Sequence, residues 1–313
     1  MKKTVLTILI MAFAVVLVNS QDMKSKKGVP ILPEKGDYCI GIDAVPIFTY
    51  LGNMFNGNVN NPGPAFNFTA TTPMTIFVKH MIDDETASRA MFRIGFASAS
   101  LKNMIVDDVA LDADPTSTAQ IEDKWGHSEK FILLGYGLEK RRGKGRVQGI
   151  YGAEGFLLFM SYSDKYTWGN EITTTNDTPT STNWSEFGEW NWNSIVTPPQ
   201  WSANNPGQRT NKKTSGSTIG IGARAFCGVE YFFAPKMSLG GEFGWSIAFL
   251  TTGNGKTTTE NWDMDSNTVK EIEKEIGGSS AFSIDTDNLP SNFNVTSPIL
   301  AGPQGSISLF FYF

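Results

Sequence analysis

The chain is 313 residues long, has a net charge of −5 and only 18% charged residues, and so lacks the clustered basic surface of a nucleic-acid-binding protein. Its two histidines and its two cysteines, Cys39 and Cys227, have no spacing that suggests zinc, and nothing else in the sequence calls for a cofactor. After residue 20 no stretch approaches 18 apolar residues, which excludes a membrane-spanning helix.

Lys2 and Lys3 precede an apolar stretch from Val5 to Val18, and Val18-Asn19-Ser20 places a small residue before Gln21. That stretch is too short to span a membrane, so residues 1–20 read as a cleaved secretory signal peptide. Residues 21–36, with Lys24, Lys26, Lys27, Pro30 and Pro33, read as a polar tail on the periplasmic side.

The remainder, 37–313, alternates with period two. Eight strands are predicted: 37–50, 73–81, 89–101, 129–141, 146–164, 214–233, 237–252 and 305–313. In the sixth, Ile219, Ile221, Ala223, Ala225, Cys227, Val229, Tyr231 and Phe233 share one face, while Gly220, Gly222, Arg224, Phe226, Gly228, Glu230 and Phe232 share the other. The seventh repeats the pattern, with Leu239, Phe243, Trp245, Ile247 and Phe249 opposite Ser238, Gly240, Glu242, Gly244 and Ser246. An apolar outer face and a small or polar inner face are the mark of a transmembrane barrel. The connections between strands run 22, 7, 27, 4, 49, 3 and 52 residues, alternating long and short throughout. Short periplasmic turns and long extracellular loops are sorted in this way. The predicted fold class is therefore all-β: an eight-stranded antiparallel transmembrane β-barrel with extracellular loops 51–72, 102–128, 165–213 and 253–304. Pro46 interrupts the first strand and calls for a bulge or early fraying there.

Several groups carry candidate chemistry. Asp43, Lys79, Arg93, Glu154, Arg224 and Glu242 fall on inner faces, where opposite charges are expected to pair in a hydrogen-bonded network. An eight-stranded interior is just wide enough for side chains to fill, so a polar core is expected, with a narrow path for water or ions as the functional alternative. His80 lies near the inner end of its strand. His127 lies toward the outside, where Asp123, Ser128 or Asp164 could approach it as catalytic partners, although a plain rim residue is the expectation. Asp263-Met-Asp265-Ser-Asn267 begins like a calcium loop but lacks the glycine and glutamate such a loop needs. A loop helix is predicted from Asp265 or Ser266, with Val269, Ile272 and Ile276 on one face and Gly277-Gly278 as its stop. Cys39 and Cys227 fall on non-neighbouring strands and opposite faces, so free thiols are expected.

Five of the eight tryptophans lie in the third loop: Trp168, Trp184, Trp190, Trp192 and Trp201. They either build an ordering cap or, with Trp184, Trp190, Trp192 and Trp201, form a contact surface for a glycan or protein partner.

At the end of the chain Ile307, Leu309, Phe311 and Phe313 alternate with Ser306, Ser308, Phe310 and Tyr312. This resembles the terminal strand of bacterial outer-membrane proteins, with Ser308 where glycine is usual. The resemblance implies that Ile307, Leu309, Phe311 and Phe313 form the signal read by the barrel assembly machinery. The segment Gly28-Val-Pro-Ile-Leu-Pro-Glu-Lys-Gly-Asp-Tyr, followed by Gly41-Ile-Asp43-Ala, looks like small outer-membrane proteins of the Bacteroidota. The architecture is similar to the membrane domain of outer membrane protein A, without its peptidoglycan-binding domain. The resemblance implies a Gram-negative outer membrane, with its lipid and lipopolysaccharide as surroundings. The expected role is non-enzymatic, in envelope structure or contact through the loops. A narrow channel or small-ligand carrier is the alternative, and an enzyme acting on lipid A or peptides comes third.

Overall fold

A computed structural model of the chain describes residues 23–57, 61, 63–64, 68, 74–143, 145–184, 208–286 and 307–313. The predicted signal segment lies outside them. Among the described residues are twelve strands: β1 (Tyr38–Asp43), β2 (Thr75–Met81), β3 (Thr86–Val106), β4 (Gln120–Arg142), β5 (Val147–Thr167), β6 (Gln208–Thr214), β7 (Thr218–Ala234), β8 (Met237–Thr252), β9 (Gly255–Asp263), β10 (Thr268–Ile276), β11 (Ser279–Thr286) and β12 (Ser308–Tyr312). Two helices, α1 (Val45–Phe55) and α2 (Asp108–Ala113), complete the set, and neither is long enough to cross a membrane.

Eight strands close into an antiparallel ring in the order β1–β2–β3–β4–β5–β7–β8–β12, with β12 returning to β1. These are the eight strands that the alternation predicts. Short turns join β2 to β3, β4 to β5 and β7 to β8. The last of these places Lys236 at φ 56°, a left-handed geometry that closes the turn after Pro235. The side chains sort as predicted: in β7, Ile221 is 60% exposed while Arg224 is 1% exposed. Outward apolar side chains run round the ring: Ile40 of β1, Val78 of β2, Ile94 and Phe96 of β3, Leu134 and Tyr136 of β4, Leu157 of β5, Trp245 and Phe249 of β8. On β4 this belt runs from Ile132 to Leu138, with Lys130 beyond one end and Lys140 beyond the other. Gly41 and Gly240 lie against the buried Phe310 ring, where an added Cβ would collide with it.

Residues 23–36 do not hang free. Ile31 packs into the inner end of the barrel with Cys39, Met81, Phe232 and Tyr312, and the Lys236 amide donates to its carbonyl at 3.0 Å. Cys39 is buried and Cys227 faces outward, both as free thiols, as expected.

Four expectations are corrected. The first strand ends at Asp43, and Pro46 lies in the first turn of α1, where its missing N–H costs nothing. The second loop shrinks, because β3 and β4 pair out to Val106 and Gln120 before α2 intervenes. The helix predicted from Asp265 is instead a β9–β10 hairpin, turned by Asn267 at φ 54°. Its apolar triplet Val269, Ile272 and Ile276 fits a helix face, but pairing with the β-branched run Thr257-Thr258-Thr259 outweighs that spacing. The calcium-like start is that hairpin's turn: Asp263 accepts from the Asp265 amide at 3.2 Å and from the Ser266 hydroxyl at 2.9 Å. Finally, β6, β9, β10 and β11 give the outer connections strands of their own. β6 joins β5 to the β9–β10 hairpin, and β11 lies along the outer half of β8.

Candidate functional site

The lumen is filled in layers. In the inner half, four cations, Lys79, Arg89, Arg141 and Arg224, interleave with four glutamates, Glu139, Glu154, Glu230 and Glu242, and each side chain is at most 6% exposed. Lys79 meets Glu139 at 2.8 Å and Glu230 at 3.5 Å. Arg89 reaches Glu154 at 3.2 Å and holds Glu242 with both terminal nitrogens at 2.6 Å. Arg224 bridges Glu154 at 2.7 Å and Glu242 at 3.0 Å. Arg141 joins Glu139 at 3.1 Å and Glu230 at 2.8 Å, and bonds the Tyr312 hydroxyl. Ser238 and Tyr312 hydroxyls both donate to Glu230. Aromatic faces cover the remaining cationic surface: Arg89 lies over Phe77 and Phe226, and Lys79 over Phe310. With charges matched four to four, the layer carries no net charge, which is what a buried cluster requires.

Of the six lumen residues expected, Lys79, Glu154, Arg224 and Glu242 come together in this layer. Arg93 lies beyond it, 5.4 Å from the Phe131 ring, and Asp43 is buried at the outer end of β1. The charge set read from the sequence left out Arg89, Glu139, Arg141 and Glu230, although Glu230 was placed on the inner face of its strand. Arg89 has the parity of Arg93 on β3, and that signal was available. Glu139 and Arg141 share parity with apolar Phe131 and Leu133, so their face of β4 did not look polar. Beyond the charged layer lies an apolar one, with Phe131, Leu133, Phe156, Leu158, Met160 and Leu250 all buried.

The outer rim holds His127, beyond Lys130 and hence outside the apolar belt. Its Nδ1 lies 2.9 Å from Asp164 and its Nε2 3.2 Å from Glu129. Asp164 also accepts from Trp125 Nε1 at 3.1 Å and from the Tyr162 hydroxyl. The partner expected in Asp164 is therefore in place, but the chemistry is not that of a general base. Burial pushes the imidazole down, yet the two carboxylates outweigh it and raise its pKa to about 9. A ring charged at neutral pH and covered at both nitrogens has no free site to accept a proton. Ser128 faces the opposite side of β4, and Asp123 is taken up by the Gly169 and Thr182 amides at 2.7 Å. His80 faces outward beside Tyr38.

That Asp123 contact pins the start of the third loop. Asn170 donates to the Val106 and Thr180 carbonyls at 2.8 and 3.0 Å, and Asp108 accepts from Asn176 and Thr180 at 2.7 Å each. Trp184, for which an ordering cap and a contact surface were both open, is buried against Trp125 and Tyr166, with Trp168 beside them. Trp190, Trp192 and Trp201 lie outside the described residues. At the other end of the molecule Leu309, Phe311 and Phe313 face outward on β12, and Phe313 is 66% exposed.

No protein-family model matches the chain, and a search of curated proteins finds no match. Among solved structures it is similar to a major outer membrane protein from Thermus thermophilus, at 11% identity and a TM-score of 0.28, over 89% of this chain and 98% of that one.

Proposed function

We propose that the chain is an exported outer-membrane β-barrel, non-enzymatic, whose lumen is a solid core and whose working surface is its outer sheet and loops. The observation that carries this reading is the unbroken outward belt of Ile, Leu, Phe, Tyr and Trp round the ring. In water so large an apolar surface would drive aggregation, whereas against lipid it is the stable arrangement. The sorted turns and loops, the aromatic terminal strand and the secretory start of the sequence support the same placement. The finer reading, a small barrel of the Bacteroidota kind resembling the membrane domain of outer membrane protein A, rests on the residues quoted above. Removal of residues 1–20 on export belongs to it too.

The packed charge layer favours envelope structure and surface contact over a channel. The covered imidazole of His127 speaks against an enzyme of lipid A or peptides. Two measurements test the reading on the native protein. Fractionation should recover it with outer membranes, soluble only in detergent. In planar bilayers it should pass no steady current above background. Recovery in the aqueous periplasmic fraction overturns the membrane placement, and a steady conductance overturns the solid lumen.

A further inference from the structure

Beyond the belt, the outward face of the sheet turns basic on one side of the barrel only. Lys102 of β3, Lys124 and Lys130 of β4, Lys165 of β5 and Lys212 of β6 all lie exposed on that face. Their register sets like charges together: Lys102 stands directly opposite Lys124, and Lys165 directly opposite Lys212. Directly opposed like charges destabilise a sheet. Elsewhere many of the described cations are met by carboxylates, as in the lumen, at Arg209–Glu260 and at Lys256 between Glu273 and Glu275. Here only Lys102 is, by Glu122 at 2.9 Å. From β3 to β6, five lysines against one glutamate make a cationic strip on a chain whose net charge is −5, and the same face turns acidic only two strands beyond Lys212, at Glu271, Glu273 and Glu275 of β10. On the far side of the ring, β7 and β8 stop at Thr218 and Thr252, and their outward face carries no lysine beyond the belt.

We propose that this face docks the phosphate groups on the saccharide headgroups of outer-leaflet glycolipid, lipopolysaccharide above all. The inference rests on the outer-membrane reading and its orientation. Height supports it. Lys130 is two residues past Ile132 on β4, at the belt's edge, while Lys124 and Lys165 lie six residues further along their strands than Lys130 and Phe159. At about 3.3 Å per residue on tilted strands, the face spans roughly the first 15 Å above the acyl region, where headgroup phosphates lie. Anionic phosphate between opposed lysines removes the repulsion that the sheet otherwise bears, and several ammonium groups engage several phosphates of one headgroup.

The test uses the full-length protein folded in detergent micelles, titrated with purified lipopolysaccharide, with its enzymatically dephosphorylated form and with inorganic phosphate. The variant Lys102→Gln/Lys124→Gln/Lys165→Gln/Lys212→Gln is compared with a charge-matched control at the inner end, Lys26→Gln/Lys27→Gln/Lys35→Gln/Lys140→Gln. The native protein and the control should bind lipopolysaccharide alike. Removing each outer lysine should weaken binding by about fivefold, and dephosphorylation should do as much as the full variant. Equal binding by the outer variant, or by the dephosphorylated glycolipid, overturns the proposal, as does saturation by inorganic phosphate with no preference for the glycolipid. A native protein that folds in micelles and shows none of these differences refutes the docking face alone. One that stays soluble and folded without detergent refutes the barrel reading beneath it.

Discussion

Replacing Glu242 by Gln tests whether the lumen is held by charge matching or merely filled. Glu242 takes both terminal nitrogens of Arg89 at 2.6 Å and one of Arg224 at 3.0 Å. Gln keeps the shape but turns an NH2 group toward guanidinium donors and leaves four cations facing three carboxylates. Neither arginine is wholly abandoned, since Arg89 keeps Glu154 at 3.2 Å and Arg224 keeps it at 2.7 Å. The expected loss is therefore about 3 kcal/mol, the lower end of the range for breaking a buried pair. Adding Arg224→Gln restores the charge match, so the double variant should lose at least ~1 kcal/mol less than the two single losses summed. Urea titration of the barrel in lipid vesicles, followed by tryptophan fluorescence, gives each value, and heat-modifiable migration on a gel reports the folded fraction. Losses within ~0.5 kcal/mol of zero for Glu242→Gln, or strict additivity in the double variant, would refute the reasoning.

Ile221→Arg places a charge on the belt and should cost roughly 2–4 kcal/mol in lipid by the same titration. Deleting Phe313 removes the outward aromatic that ends the chain, and outer-membrane levels of the protein should fall; unchanged levels count against its role in assembly. Because His127 is held charged up to about pH 9 against 6.5 when unfolded, its contribution is complete below the lower value and lost as pH rises through the higher. Protection of the 169–184 segment from protease should therefore weaken between pH 7 and 10 (roughly the span about that pKa), and His127→Gln should flatten the profile. Excising residues 186–206, between Trp184 and β6, should leave a folded, heat-modifiable barrel, while loss of assembly would show that the excised stretch is structural.

The ring was legible because an apolar outer face and a filled lumen impose period two on every strand, and because turns and loops sort by side. Ile219 to Phe233 alternate without interruption, and the structure faces them as the sequence indicates. The outer strands were not legible, since no apolar outer face imposes a pattern on them. Residues 268–276 keep apolar positions at helical spacing while pairing as strand β10, exposed almost throughout. At the rim, Asp164 could be named as a neighbour of His127. Glu129 and Tyr162 carried a signal too, since each lies two residues along the same strand face from a residue already named, Glu129 from His127 and Tyr162 from Asp164. For Trp184 the sequence left both an ordering cap and a contact surface open. Its burial follows from the hydrogen bonds of Asp123 to Thr182 and of Asn170 to Thr180, which tether the chain just before it and which composition does not reveal.

The ring closes where the chain's two ends meet. β1 and β12 share only five residue pairs, Cys39 with Tyr312 through Asp43 with Ser308, extended by the reciprocal Tyr38 and Phe313 amide bonds at 2.9 Å. The β3–β4, β4–β5 and β7–β8 ladders are far longer and mostly join strands adjacent in sequence, so they can zip locally as hairpins. The closing joint must instead gather residues nearly a full chain length apart, and it does so with one of the shortest ladders in the ring. The molecule thus resembles a curled sheet fastened by a small clasp. Such a sheet cannot become a cylinder until β12 is in place, and the clasp, together with the four-pair joint that holds β12 to β8, is where the finished wall parts at least cost.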